Sequence, residues 1–230
     1  MSREQHLLKL RTLGASLDGR DFQVYSANGK DPNEPIIGEG DPRARLAIFG
    51  RDPGREEVKH GVPFIGAGGQ KVRLGLHRAL FGNSPYDFAA SLTAGQHAFW
   101  ANTVPFKPFE NKAWSPKIVR EFWSPMAGIL NDSWRGIDVI TLGEGAFKWF
   151  GIPDKKVKEQ LHEFWKTEDR FETAIEVDLS AHGIDRPLRL RPLPHPSPLN
   201  ATWTPLFPGL LEKCLHTLNF SLNTWKLESP

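Results

Sequence analysis

Three loops of this chain set polar, chemically capable side chains among glycines and prolines. The first runs from Gly50 to Gly66 as G-R-D-P-G-R-E-E-V-K-H-G-V-P-F-I-G and carries Asp52. The second is Asn102-Thr103-Val104-Pro105-Phe106-Lys107-Pro108, and the third is His195-Pro196-Ser197-Pro198-Leu199-Asn200. A carboxylate in a cleft can stabilise a developing cation or take a proton from water. An amide such as Asn102 offers a donor and an acceptor at once, and a neutral imidazole can donate to a developing anion. Taken singly, each residue has a plain structural explanation. Asp52 before Pro53-Gly54 suits a turn, Asn102 suits the end of a strand, and His195 suits a hydrogen-bonded loop.

Those loops need a scaffold, and the apolar pattern supplies one. Four strand-like runs recur: Leu46–Phe49, Phe99–Val104, Ile137–Leu142 and Leu188–Leu193, each ending in a loop. Helical spacing is read over 70–81, 116–131 and 144–150, with a closing amphipathic helix over 209–224. Strands alternating with helices predict an α/β domain with a central, mostly parallel sheet flanked by helices, an α/β/α sandwich. Ligands of such sheets bind beyond the carboxyl ends of the strands, which is where the three loops lie. Residues 155–187 read as a charged segment with an extra edge strand at Thr173–Val177. The Gly/Pro-rich stretch 27–44 reads as an ordered entry loop. Over 230 residues this makes one domain spanning 1–230, with its core at about 45–215.

Several function classes drop out. There is no phosphate loop of the G-x-x-x-x-G-K-[ST] type, no G-x-S-x-G elbow and no H-E-x-x-H. Gly143-Glu144-Gly145-Ala146-Phe147-Lys148 follows a strand, but Lys148 stands where a dinucleotide fingerprint needs a small residue, so it reads as a tight turn. One cysteine, Cys214, leaves no internal disulfide and no cysteine-ligated cluster. A formal charge of +2 is too mild to argue by itself for a nucleic-acid partner. The opening residues lack the apolar core of a signal peptide, no run is long enough to span a membrane, and the sequon Asn200-Ala201-Thr202 has no secretory context. The expected compartment is the cytoplasm.

The order and spacing of the three loops resemble the uracil-DNA glycosylase superfamily over roughly residues 45–215. Asp52 stands where the G-Q-D-P-Y-H branch has its aspartate, and His195-Pro196-Ser197-Pro198-Leu199 matches that branch's H-P-S-P-L loop. The patterns G-x-x-P-G-x-x-E and G-x-P-F-x-G, and the run Asn102 to Lys112, are similar to the iron–sulfur branch. Two departures stand out. Gly54-Arg55 replace the Tyr-His that follows the proline, which removes the tyrosine that blocks thymine's methyl group and leaves Glu57 as the candidate for that task. Trp123 lies where a cluster cysteine would be expected. The chain looks like a cluster-free relative with a hybrid site.

The resemblance implies a monofunctional glycosylase that rotates uracil out of DNA, hydrolyses its bond to the sugar and needs no cofactor. Asp52 and His195 are its catalytic pair. Phe64 is the stacking platform, Asn102 the reader of the base edge, and Arg51 and Glu57 complete the pocket. Ser197, Lys107 and Lys112 are candidate phosphate contacts, and Leu199 is the wedge that fills the vacated space. The partner implied is uracil-containing DNA, with no membrane, and the chain is expected to act as a monomer. Alternatives are a relative acting on hypoxanthine or xanthine, a non-catalytic binder of uracil or abasic DNA, and an α/β nucleotide hydrolase, which the lack of a carboxylate cluster disfavours.

Overall fold

An unbroken apolar run fits the centre of a sheet only if both of the sheet's faces are covered. Leu46–Gly50 (β1) meets that condition, with all five residues buried. In the computed structural model, which describes residues 2–38, 40–198 and 200–227, β1 pairs in parallel with Phe99–Asn102 (β2) and with Asp138–Leu142 (β3). Ile175–Val177 (β4) and Leu188–Leu193 (β5) complete the sheet in the order β2-β1-β3-β5-β4. β5 is parallel to β3, and β4 closes the edge antiparallel to β5. The fold is the expected α/β domain around a mostly parallel sheet.

The helices are Arg3–Ala15 (α1), Phe22–Ala27 (α2), Arg55–His60 (α3), Ala67–Phe81 (α4), Phe88–Gly95 (α5), Pro116–Ser133 (α6), Glu144–Lys148 (α7), Lys155–Lys166 (α8) and Phe207–Thr217 (α9). Alternation along β1 divides the core. Ala47 and Phe49 pack with Leu10 of α1, Met126 of α6, Phe147 of α7 and Leu161 of α8, while Leu46 and Ile48 pack with Val72 and Leu76 of α4 and Leu211 of α9. Each such large side chain contributes about 1.5–3 kcal/mol of burial. Among the described residues no helix is long and apolar enough to cross a membrane.

Because β1 lies between β2 and β3, the winding reverses there, and a crevice opens at the carboxyl ends of β1 and β3. Register brings the loops to it: Gly50 lies opposite Asn102, Phe49 opposite Thr141, and Leu142 opposite Leu193.

Some boundaries differ from expectation. β2 stops at Asn102 instead of Val104, because Thr103 N–H turns to the Gly50 carbonyl (2.8 Å) and Val104 N–H to that of Arg51 (3.2 Å). α9 ends at Thr217, with Asn219 in the left-handed region at φ 49°. The chain then returns to the start of β1, where Arg45 N–H donates to the Trp225 carbonyl at 2.8 Å. The charged segment holds α8 as well as the edge strand, and α1, α2, α3 and α5 add to the helices read from spacing. The entry stretch is ordered over its described residues, with Ile36 N–H bonded to the Pro105 carbonyl and Gly38 N–H to that of Trp100.

Candidate active site

The β1–β2 corner is closed before any ligand enters. Gly50 has no side chain for a steric reason: a Cβ there would come within 2.6 Å of the Phe64 ring and 3.2 Å of Asn102 Oδ1. The aromatic ring and the amide therefore converge on one patch of backbone. Asn102 is buried, and its Oδ1 has no hydrogen-bond partner among the described residues. An orphaned buried acceptor costs about 1–3 kcal/mol, which a ligand's N–H would recover.

Phe64 is held in an unusual backbone state, with φ at 54°. Its clamp is Arg73 of α4, which is fully buried. Arg73 Nε donates to the Phe64 carbonyl and Nη2 to that of Pro63, both at 2.8 Å, and Nη1 donates to the Ser91 carbonyl at 2.9 Å. The guanidinium also lies 4.7 Å from the Trp100 ring centroid, and that ring packs against Phe64 at 5.3 Å. Gly69 lets this backbone approach, since a Cβ there would sit 2.0 Å from the Phe64 oxygen.

Across the crevice stand Asp52 and His195. Arg51 Nε donates to Asp52 Oδ1 at 2.7 Å and Nη2 to Oδ2 at 3.4 Å, while the Asp52 side chain is only 6% exposed. Burial raises the Asp52 pKa above the ordinary carboxylate range, with Arg51 and then Lys107 pulling against it. His195 Nδ1 accepts from Ser197 N–H at 3.2 Å, which leaves the ring proton of the neutral form on Nε2. Desolvation, then the charge of Arg51, lowers the imidazole's pKa and favours that neutral form. The His195 loop packs against the turn after β3 and the start of α4. A Cβ on Gly143, after β3, would lie 3.2 Å from His195 Cβ, and one on Gly68 would lie 3.4 Å from Pro196.

The family model of the Uracil DNA glycosylase superfamily matches residues 37–219. The chain belongs to that superfamily. It is thus a DNA glycosylase by family, and the motif residues can be followed through its structure.

Glu57 has both carboxylate oxygens occupied by the glycosylase's own backbone, Oε2 by Gly54 N–H (2.9 Å) and Oε1 by Gly66 N–H (2.8 Å). It staples the first loop with one N–H on each oxygen. The Arg51 carbonyl is likewise taken, by Thr103 Oγ1 at 2.5 Å and Val104 N–H. Lys107 corrects the expectation of a phosphate contact. It is buried, with its ammonium on Asp21 Oδ2 at 2.9 Å and the Pro108 carbonyl at 3.0 Å, so its charge is consumed internally. Lys112 is exposed and pairs with Glu110 at 3.1 Å. Ser197 is half-buried, and its carbonyl accepts from Thr204 Oγ1 at 2.9 Å. Leu199 lies outside the described residues.

A four-cysteine cluster does not fit this glycosylase. Its one cysteine, Cys214, is buried on the α4–α9 side of the sheet, with the thiol pKa pushed up to about 12 by burial. Trp123 lies on the other side and stacks on Trp149, ring centroids 5.5 Å apart. Among the described residues no group of three or more His, Cys, Asp or Glu is placed to hold a metal ion. Sequence reading missed Arg73. A signal existed: Val72, Leu76 and Leu80 put Arg73 on the inward face of α4.

Proposed function

We propose that this glycosylase excises uracil from DNA by hydrolysing the N-glycosidic bond, acting as a monomer without metal or organic cofactor. The observation that carries the reading is the meeting of the Phe64 ring with the unpartnered Asn102 Oδ1 beside Gly50. A flipped pyrimidine stacked on Phe64 brings its edge to Asn102. Oδ1 accepts uracil N3–H, and Nδ2–H donates to O4. Cytosine reverses that pattern, and a bidentate contact of this kind discriminates by ~1–3 kcal/mol.

As the C1′–N1 bond breaks, its electron pair leaves with uracil and the sugar becomes cationic. Asp52, ionised and held by Arg51, stabilises that cation and orients the water whose oxygen bonds to C1′. The water's proton passes to Asp52 or solvent. His195 Nε2–H donates to uracil O2 as negative charge builds there. The products are free uracil and an abasic site. Ser197 and Lys112 remain candidate contacts to the flanking phosphates, and Leu199 the candidate wedge.

The test is excision from oligonucleotides bearing uracil, hypoxanthine, xanthine or thymine, with alkaline cleavage to reveal abasic sites. Strand scission that depends on both uracil and alkali is expected. Excision of hypoxanthine or xanthine in place of uracil would transfer the site to those bases, and binding without turnover would make the chain a damage-recognition module.

A further inference from the structure

One buried cation of this glycosylase is left without an acceptor. Lys71 lies on α4, and its Nζ is buried with no hydrogen-bond partner among the described residues. Lysine carries all of its N–H donors on that one atom, so the whole charge goes unanswered. Two other cations buried around the site are satisfied, Lys107 by Asp21 at 2.9 Å and Arg73 by the carbonyls of Phe64, Pro63 and Ser91. Taking an ammonium out of water without an acceptor opposes folding, so Lys71 is kept against the stability of the fold. Helix spacing places it. Gly68, Lys71 and Gly75 follow at i, i+3 and i+7 and share one stripe of α4. The ends of that stripe face Pro196 and Leu211, because a Cβ on Gly68 would lie 3.4 Å from Pro196 and one on Gly75 2.4 Å from Leu211. A helical side chain leans back toward the helix N-terminus, which carries the Lys71 stem toward Gly68 and the turn from His195 to Ser197. The residue as a whole is only half-buried, so its flexible stem reaches the surface there.

We propose that Lys71 is a phosphate-binding residue, whose ammonium takes a backbone phosphate next to the extruded nucleotide at the flank of the His195 turn. An extruded nucleotide stays joined to its strand by a phosphate on each side. A base held between Phe64 and His195 therefore brings one of them past the turn that Lys71 underlies. A phosphate oxygen supplies the acceptor that the protein withholds, and a lysine meets it as a compact point charge. The cation that Lys107 cannot offer, since Asp21 consumes it, is then supplied from α4 instead. The rival reading is a lysine that only packs against the turn. The inference rests on the DNA-glycosylase reading but not on which base is removed.

The probe is a duplex carrying a single tetrahydrofuran abasic analogue, which holds no base to excise, read by fluorescence anisotropy. Lys71→Met and Lys71→Gln should each weaken binding roughly tenfold and flatten the slope of log K against log salt by ~0.9. Lys71→Met should melt no lower than wild type, because it deletes an unpaired buried charge. Neutral methylphosphonates are then placed one at a time at the phosphates on either side of the analogue. At one of these positions wild type and Lys71→Met should bind alike, since the contact is already lost. An unchanged affinity in both variants, or an equal loss from Lys71→Met at every methylphosphonate position, would overturn the phosphate role. So would a Tm lowered in step with affinity, which is the mark of a lysine that only packs. A wild type that binds no abasic duplex would overturn the DNA-glycosylase reading as well, whereas failure of uracil excision alone leaves Lys71 standing.

Discussion

Gly69→Ala tests whether Phe64 is pinned where a base must stack. The new Cβ would lie 2.0 Å from the Phe64 carbonyl oxygen and 2.2 Å from its carbon. Ordinary contact begins near 3.4 Å, so the carbonyl must retreat by roughly 1.4 Å. Retreat breaks the 2.8 Å bond to Arg73 Nε and drags a residue already at φ 54°. Overpacking of this kind costs about 1–3 kcal/mol. For a domain of this size that lowers Tm by about 2–12 °C. Displacing the platform by about 1 Å should cost ~10² in rate. Gly75→Ala on the same helix is the control, because its Cβ would meet Leu211 at 2.4 Å, in the α4–α9 packing. Single-turnover uracil excision is measured well below both melting points. The expected result is a loss of Tm in both variants, larger in Gly69→Ala because its clash is with backbone and that of Gly75→Ala with the tip of the Leu211 side chain, and the ~10² loss of rate in Gly69→Ala alone. A Gly69→Ala rate within about twofold of wild type, despite a lowered Tm, would refute the pinned platform.

Asp52→Asn should lower turnover by ~10²–10⁴ while binding of uracil-containing DNA survives. Because burial raises the Asp52 pKa and Arg51 opposes it, activity should fall as pH drops through that pKa. Arg51→Gln should move this acid limb to higher pH, and an unmoved limb would take Asp52 out of the rate profile. Lys107→Met leaves Asp21 as an unpaired buried carboxylate and should destabilise the fold by about 3–5 kcal/mol in urea melts, with the salt dependence of DNA binding unchanged. A flatter salt dependence would restore Lys107 to the DNA surface. Leu199→Ala should slow excision from duplex more than from single strands, since only the duplex has a gap to fill. Equal fractional losses would give Leu199 a merely structural part in the His195 loop.

The sheet was legible because continuous apolar runs such as Leu46–Phe49 have few other solutions. The register of β1 with β2 then delivers Asn102 beside Gly50 without any long-range inference. What stayed hidden depends on partners distant in sequence. Lys107 after a strand reads like a phosphate ligand until Asp21, 86 residues upstream, takes its charge. The bridging of the first loop by Glu57 shows only once the amides of Gly54 and Gly66 fold onto it. Arg73 was hidden by its type, because a buried arginine satisfied by three backbone carbonyls has no local motif. The short buried stripe of α1, Leu7, Leu10 and Gly14, is too narrow to mark a helix by periodicity.

The most direct test of the central claim exchanges the group that reads the base. Free bases released from uracil- and cytosine-containing strands are quantified by chromatography for wild type and Asn102→Asp. The carboxylate can accept from cytosine N4 but lacks the amide donor for uracil O4. Wild type should release uracil alone, and the variant should lose most of that activity and gain release of cytosine. Full uracil release by Asn102→Asp with no cytosine released would contradict the assignment of this site.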